Sequence, residues 1–138
     1  MILSPQERSK YFKGLLILMT KDRKIDHKER SILVKVGKLL GFERKFCENA
    51  INDSLENKYL NEDIPTFSRK EFAMSFILDG LTLAISDKEL NPDELQYLKL
   101  TIKENNLEEE WFSQQVKNLV INIDDNYYDS GLHVKNYL

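Results

Sequence analysis

Two short acidic turns contain oxygen-bearing side chains at a repeated spacing that could bind a metal ion. The first lies in LMTKDRKIDHKER, residues 18–30, and the second in LAISDKELNPDEL, residues 83–95, so the pattern Asp-x-x-x-[Asp/Asn]-x-x-Glu recurs 65 residues later. Carboxylate, amide and backbone carbonyl oxygens are the ligands that calcium and magnesium prefer. Each turn is therefore a candidate cation site. The pattern residues are Asp22, Asp26 and Glu29 in the first turn, and Asp87, Asn91 and Glu94 in the second.

Helix capping alone explains the second and third residues of each pattern, because an Asp or Asn accepts a backbone N–H and a Glu three residues later reaches back. It does not explain Asp22 and Asp87, which fall at helix C-termini, where a carboxylate opposes the helix dipole. A cation would compensate for them, with a carbonyl from Lys24 or Glu89 as a further ligand. A salt bridge or an Asx turn would also do so, and it is the simpler explanation for either turn taken alone. The spacing is not that of an EF-hand loop.

Three other residues are weaker candidates. Cys47 follows two cations, Arg44 and Lys45, near a helix start, which would lower its thiol pKa, but its spacing favours a small core residue. Asp79 interrupts an apolar run, so it must be paired, exposed or protonated, and we interpret it as part of a buried network. His27 is expected to be an exposed first-turn residue. No Ser-His-Asp set, phosphate-binding glycine loop or zinc signature is present, so nothing in the sequence supports an enzyme.

The sequence predicts that helices carry these candidate residues. Apolar residues recur at helical spacing, and the chain contains only 5 glycines and 3 prolines. Ser4, Asp26, Ser68 and Asn91, each followed three residues later by Glu, predict helix starts, and Gly41 suits a left-handed helix end. The third helix is expected to bury Phe46 with Cys47 and Ile51. The predicted helices span about 5–21, 27–40, 43–55, 69–86, 92–104 and 108–121.

The order helix, acidic turn, helix, helix occurs twice along the chain. This order predicts an all-α fold, a compact bundle of about six to seven helices with two pseudo-repeated halves and its two most apolar helices at the centre. We expect a single domain over residues 1–138, with repeat halves at 5–55 and 68–121. Residues 122–138 form a C-terminal arm that could dock as a helical turn.

The charges divide unevenly along the chain. Residues 1–46 contain 12 Lys/Arg and 5 Asp/Glu, and residues 47–138 contain 8 and 18, so the formal charges are +7 and −10. One interpretation is an ordinary solvated surface. The other is a bipolar molecule whose opposite faces attract partners or further copies of the chain, and this attraction would weaken with salt. A nucleic-acid partner is not expected, because no reader motif and no aromatic among the lysines is found.

The remaining composition indicates a compartment. The single cysteine excludes an internal disulfide, and the 2 histidines are too few for a Cys/His zinc site. We find neither a signal segment nor an apolar run of about 18 residues that could span a membrane. The expected location is the cytoplasm, without membrane insertion.

The phrases LLILMTKDRKIDHKERSILVKVGKLLGF and FILDGLTLAISDKELNPDELQYLK resemble the TerB family of tellurite-resistance proteins over about residues 11–112. The resemblance implies a TerB-like bundle, a bacterial stress-response role and acidic positions that coordinate metal. Two departures from the family pattern weaken these sites: Arg23 and Lys88 replace the usual glycine after each first Asp, and Asn91 replaces an Asp. The implied metal positions are Asp22, Asp26, Glu29, Asp87, Glu89, Asn91 and Glu94.

The resulting expectation is a non-enzymatic, TerB-like stress-response protein that binds divalent cations through both turns and acts through protein partners. Calcium or magnesium is the expected ion, with zinc and manganese left open. The alternative is a metal-independent helical adaptor with a bipolar charged surface, which could form a homo-oligomer through its complementary faces. A metal-dependent hydrolase is the least supported reading, because no general base is identified near the turns.

Overall fold

The structure is a computed structural model that describes residues 2–22, 24–56, 63–85, 91–122 and 132–138. Within these ranges the chain has six α-helices, two short 3-10 helices and no strand, so the predicted all-α class is confirmed. The 3-10 helices are Thr20–Asp22 and His133–Tyr137. The α-helices are α1 (Pro5–Met19), α2 (His27–Leu39), α3 (Arg44–Glu56), α4 (Lys70–Ala84), α5 (Pro92–Glu104) and α6 (Glu109–Asn122).

Side-chain caps begin three of these helices as the sequence predicts. The Ser4 hydroxyl accepts the Glu7 N–H at 3.2 Å, and Pro5 follows at the first helical position, where its missing N–H costs nothing. At α2, the Asp26 carboxylate accepts the Glu29 N–H at 2.7 Å. These bonds satisfy donors that have no partner within the helix, so local chemistry sets where α1 and α2 start.

The predicted cap at Ser68 is wrong. Arg69 occupies the N-cap position of α4, without a side-chain cap hydrogen bond. The Ser68 N–H and hydroxyl instead donate to Glu7 Oε2, at 2.9 and 2.8 Å. A carboxylate that accepts two hydrogen bonds from Ser68 holds the start of α4 beside α1, and this tertiary contact takes the place of the local cap.

Two residues with left-handed backbone follow α2 and α5. Gly41 has a φ of 100°, which confirms the predicted helix end, and the next residue, Phe42, donates its N–H to the Gly37 carbonyl at 2.9 Å. Asn106 has a φ of 56° at the end of α5, where the sequence analysis predicts no such turn. Asn is the residue that, after Gly, most readily adopts this conformation.

The core is built around α1 and α4. These two most apolar helices pack against each other, as predicted, and α1 also contacts α2, α3 and α5, while α4 contacts α5, α6 and the C-terminal 3-10 helix. Gly80 allows the close approach, because a Cβ there would lie 3.0 Å from Leu18 Cδ2 and 3.1 Å from Leu98 Cδ2. In the sequence, each acidic turn follows the C-terminal end of one of these two central helices.

The predicted apolar face of α3 is correct except at Phe46. Cys47 and Ile51 are fully buried, four residues apart on one side of the helix. Phe46 is 54% exposed and stacks on the Phe42 ring with the ring centroids 5.2 Å apart. The neighbour of an inward residue points about 100° away around the helix, so the aromatic ring covers the α2–α3 turn instead of entering the core.

Candidate functional site

The first acidic turn connects α1 to α2. Asp26 and Glu29 form a reciprocal capping box, in which Glu29 donates its N–H to Asp26 Oδ1 at 2.7 Å and Asp26 donates its N–H to Glu29 Oε1 at 3.4 Å. Asp22 ends the 3-10 helix that follows α1, and its side chain lies outside the described residues. The structure thus brings two of the three predicted residues together, in the arrangement that helix capping alone would give.

The second acidic turn precedes α5. Asn91 Oδ1 accepts the N–H groups of Asp93 and Glu94, at 2.7 and 3.4 Å, which confirms the predicted cap. Asp87 and Glu89, the other predicted ligands of this turn, lie outside the described residues. Of the second set, the structure therefore places Asn91 and Glu94 together through the first turn of α5.

Both glutamates are buried, which a simple surface cap does not require. Glu29 is 5% exposed and Glu94 is 4% exposed, whereas Glu71, in the first turn of α4, is exposed. Glutamate is almost never fully buried unless it is matched by a partner. The last glutamate of each acidic turn is therefore part of the packed structure and not of the open surface.

The first turn also packs against the helix that begins at the second. The 3-10 helix Thr20–Asp22 contacts α5, and the Lys21 ammonium lies 5.2 Å from the centroid of the Tyr97 ring. Tyr97 is one helical turn beyond Glu94, and its hydroxyl donates to the Asp63 carbonyl at 3.0 Å. This contact connects the first turn to the body of α5.

In the part of the chain that the structure describes, no three His, Cys, Asp or Glu side chains group as they would around a metal ion. His27 is exposed at the first position of α2, as expected. Cys47 is fully buried beside Gly37, and burial raises the pKa of its thiol. The core interpretation of Cys47 is therefore confirmed, and its thiol is poorly suited to act as a nucleophile.

A buried carboxylate at the centre of α4 anchors the C-terminal segment. Asp79 is fully buried, and its two oxygens accept the backbone N–H groups of His133 and Val134 at 2.6 and 3.0 Å. The Tyr11 hydroxyl donates to Asp79 Oδ2 at 2.7 Å and lies 2.7 Å from the Ser75 hydroxyl. The carboxylate thus caps the C-terminal 3-10 helix from a distant part of the chain.

Burial raises the pKa of Asp79 to about 6, because it disfavours the charged form more than the hydrogen bonds from Tyr11, His133 and Val134 favour it. Burial and the neighbouring Asp79 also raise the pKa of Tyr11 well above its ordinary value. A fully buried Asp79 is closed to a substrate. Its observable role is to hold residues 132–138 on α4, which confirms the predicted buried network.

A third feature, which the sequence analysis did not locate, is a groove between α2 and α3. It has a volume of about 640 Å³, and its lining includes Arg30, Lys35, Lys38 and Arg44 together with a single carboxylate, Glu48. The basic half of the sequence thus contributes to one continuous surface. The cations of α2 are visible in the sequence, but the contribution of α3 to the groove depends on how the two helices pack.

Comparisons with protein-family models, curated proteins and solved structures found no match to the chain. Among the described residues, no helix is both long enough and apolar enough to cross a membrane.

Proposed function

We propose that this chain is a non-enzymatic, TerB-like helical protein that binds divalent cations through its two acidic inter-helix turns and acts through protein partners in a stress response. The observation that carries the proposal is the burial of Glu29 and Glu94, at 5% and 4% exposure, at the same position of both turns. Carboxylate oxygens are hard ligands, which suit calcium or magnesium. The ion would supply charge compensation and rigidity rather than catalysis.

The helix bounds support a duplicated architecture of the TerB type. Each helix of the second half begins 65 residues after its counterpart in the first, as the pairs Pro5 and Lys70, His27 and Pro92, and Arg44 and Glu109 illustrate. Duplication of a helix, turn, helix, helix unit would produce this spacing, and it would give each half its own acidic turn. A role shared by the two turns would explain their equivalence more readily than two unrelated helix caps would.

Calorimetric titration with calcium, magnesium, manganese and zinc tests the proposal. We expect the wild-type protein to bind at least one of these ions and the Asp22→Ala/Asp87→Ala variant to lose at least about tenfold in affinity, because a ligand carboxylate is removed from each turn. The matched control is Asp53→Ala/Glu56→Ala, which removes two exposed carboxylates from α3. Binding that survives the first variant, or falls equally in the control, would exclude the turns as the principal cation site.

A second measurement separates a ligand from a cap. Asn91→Ala is expected to cost about 1 kcal/mol of folding stability with or without the cation, because it removes the acceptor of the Asp93 and Glu94 N–H groups. Asp87→Ala should cost little stability in cation-free protein and more in cation-loaded protein. Urea unfolding in chelator and in excess cation measures both. Equal losses from Asp87→Ala in the two conditions would make Asp87 a turn organiser.

The second candidate function is a metal-independent interaction module. The observation that favours it is the basic groove between α2 and α3, whose lining begins at His27, next to the first acidic turn, and extends to Glu48. A groove of this size lined by cations suits an acidic protein surface. The two candidates are compatible in one molecule, but only the first loses its basis if no cation binds.

A further inference from the structure

The α2–α3 groove combines charge with an apolar floor. Arg30, Lys35 and Lys38 line it from α2, where they cover an arc of about 140° around the helix. Arg44 and Glu48 line it from α3. Val34 is buried and Leu39 half-buried in the lining, so a bound side chain would contact apolar carbons as well as cations.

The described residues that line the groove carry more positive than negative formal charge. Arg44 pairs with Glu48 at 3.1 Å, and Arg30 donates to the Asn52 side-chain oxygen at 2.8 Å. Among the described residues of the lining, Glu48 is the one carboxylate, against two arginines and two lysines. Like charges gathered on one concave surface raise the local potential and attract an anionic partner.

The acidic surface that matches the groove is present on the same chain. Glu104 ends α5, and Glu108, Glu109 and Glu110 begin α6, all four of them exposed, with no Lys or Arg between residues 104 and 116. Leu107 lies half-buried within this α5–α6 corner. The corner therefore offers both carboxylates and apolar surface. Because its glutamates are exposed, they do not already fill the groove of their own molecule.

We propose that the α2–α3 groove binds the α5–α6 corner of a second copy of this chain. The inference rests on the interaction function given above as the second candidate and does not depend on cation binding. Charge complementarity selects this occupant. The net charge of −3 and the acidic corner disfavour a nucleic acid, whose phosphates the same molecule would repel. Because the two surfaces differ, the contact is heterologous unless two such contacts close a symmetric pair.

Sedimentation velocity of the full chain, in buffer that contains a chelator, tests the proposal without any contribution from divalent cations. At about 0.02 M salt we expect concentration-dependent association, weakened at least about tenfold at about 0.5 M, because screening shortens from about 20 Å to a few Å. A protein that stays monomeric at low salt up to about 0.5 mM overturns the proposal. So does association that is equally strong or stronger at high salt, since that behaviour indicates an apolar contact.

Charge-reversal variants test which surfaces are used. Lys35→Glu/Lys38→Glu is expected to weaken low-salt association at least about tenfold. Its control, Lys99→Glu/Lys117→Glu, makes the same change in net charge at exposed positions of α5 and α6 outside the groove lining. An equal loss in the control would mean that net charge, not the groove, governs association, and would overturn the proposal.

The decisive experiment combines charge reversal of the groove with charge reversal of the α5–α6 corner. Glu108→Lys/Glu109→Lys alone should also weaken association, and combining it with Lys35→Glu/Lys38→Glu should restore at least half of the lost affinity, because the opposite charges face each other again. Circular dichroism of each variant verifies the helical fold. If both parents remain folded and the combination restores nothing, the groove and the corner do not meet.

Discussion

Replacing Asp79 by alanine is expected to cost about 3–5 kcal/mol of folding stability near pH 5 and to release the C-terminal 3-10 helix from α4. The Asp79 side chain accepts from the backbone N–H groups of His133 and Val134 and shares a hydrogen bond with Tyr11 in either protonation state. Alanine leaves these donors without their acceptor in a dry site, and each such loss costs about 1–3 kcal/mol. Urea unfolding measures the total, and amide hydrogen exchange at His133 and Val134 measures the release.

The control for this prediction is Ser75→Ala. Ser75 is buried and its hydroxyl forms a hydrogen bond with Tyr11. In this network Asp79, and not Ser75, accepts the hydrogen bonds from the C-terminal segment. Its loss is expected to cost about 1 kcal/mol and to leave exchange at His133 and Val134 unchanged. If Asp79→Ala costs no more than Ser75→Ala, or leaves both amides protected, then the apolar contacts of Leu132 and Val134, and not the carboxylate, hold the segment.

The sequence predicts the helices well because their signals are local. The range of α5, Pro92–Glu104, agrees with the prediction at both ends, since Asn91 and Pro92 define the start by their own backbone chemistry. Ser68 shows the limit of this reasoning. The same capping pattern is present, but Glu7, 61 residues away, accepts its N–H and hydroxyl. A local pattern cannot report a tertiary competitor.

Contacts between residues that are distant in sequence are the other features that the sequence does not predict. The Asp79 carboxylate is evident as an anomaly in an apolar run, yet its partners lie 68 residues before it and 54 and 55 residues after it. The spacing of residues along the sequence predicts contacts within one helix or turn, but not contacts between segments that are more than 50 residues apart. The α2 side of the basic groove follows from helical periodicity alone, whereas the α3 side requires the packing of two helices.

The acidic turns are ambiguous for a different reason. An Asp or Asn at the N-cap and a Glu in the first turn satisfy the backbone of a helix, and the same oxygen atoms can serve as ligands for a hard cation. Asp26 and Glu29 form a complete capping box, so their hydrogen bonds are explained without an ion. The burial of Glu29 and Glu94 is a tertiary feature that the capping pattern does not predict.

The second large effect that we expect is the contribution of Asp79 to the pH dependence of stability. Burial raises the pKa of this carboxyl from an ordinary 3.8 to about 6 in the folded protein. Between these values the folded state binds more protons than the unfolded state, so stability falls as pH rises. The contribution is complete below about pH 4 and lost by about pH 7, a difference of about 3 kcal/mol.

The network can accommodate either protonation state. A proton on Asp79 Oδ2 can be donated to the Tyr11 oxygen while the Tyr11 hydroxyl turns to Ser75, and both backbone N–H groups keep their acceptors. The His133 side chain opposes the effect, because burial lowers its pKa, so its contribution to stability rises with pH through about 6.5. Tyr11 does not titrate in this range, since its pKa is raised well above its ordinary value.

Comparison with Asp79→Asn isolates the carboxyl from all other titrating groups. We expect the stability of the wild-type protein minus that of Asp79→Asn to fall by about 3 kcal/mol between about pH 4 and pH 7, whatever its absolute level. By the same reasoning, the penalty of Asp79→Ala should be smaller at pH 7 than at pH 5. Both comparisons are made by urea unfolding in the His133→Gln background, which removes the opposing imidazole. A difference that stays flat or rises with pH would mean that the hydrogen bonds to Asp79 outweigh its burial and keep the carboxylate ionised throughout.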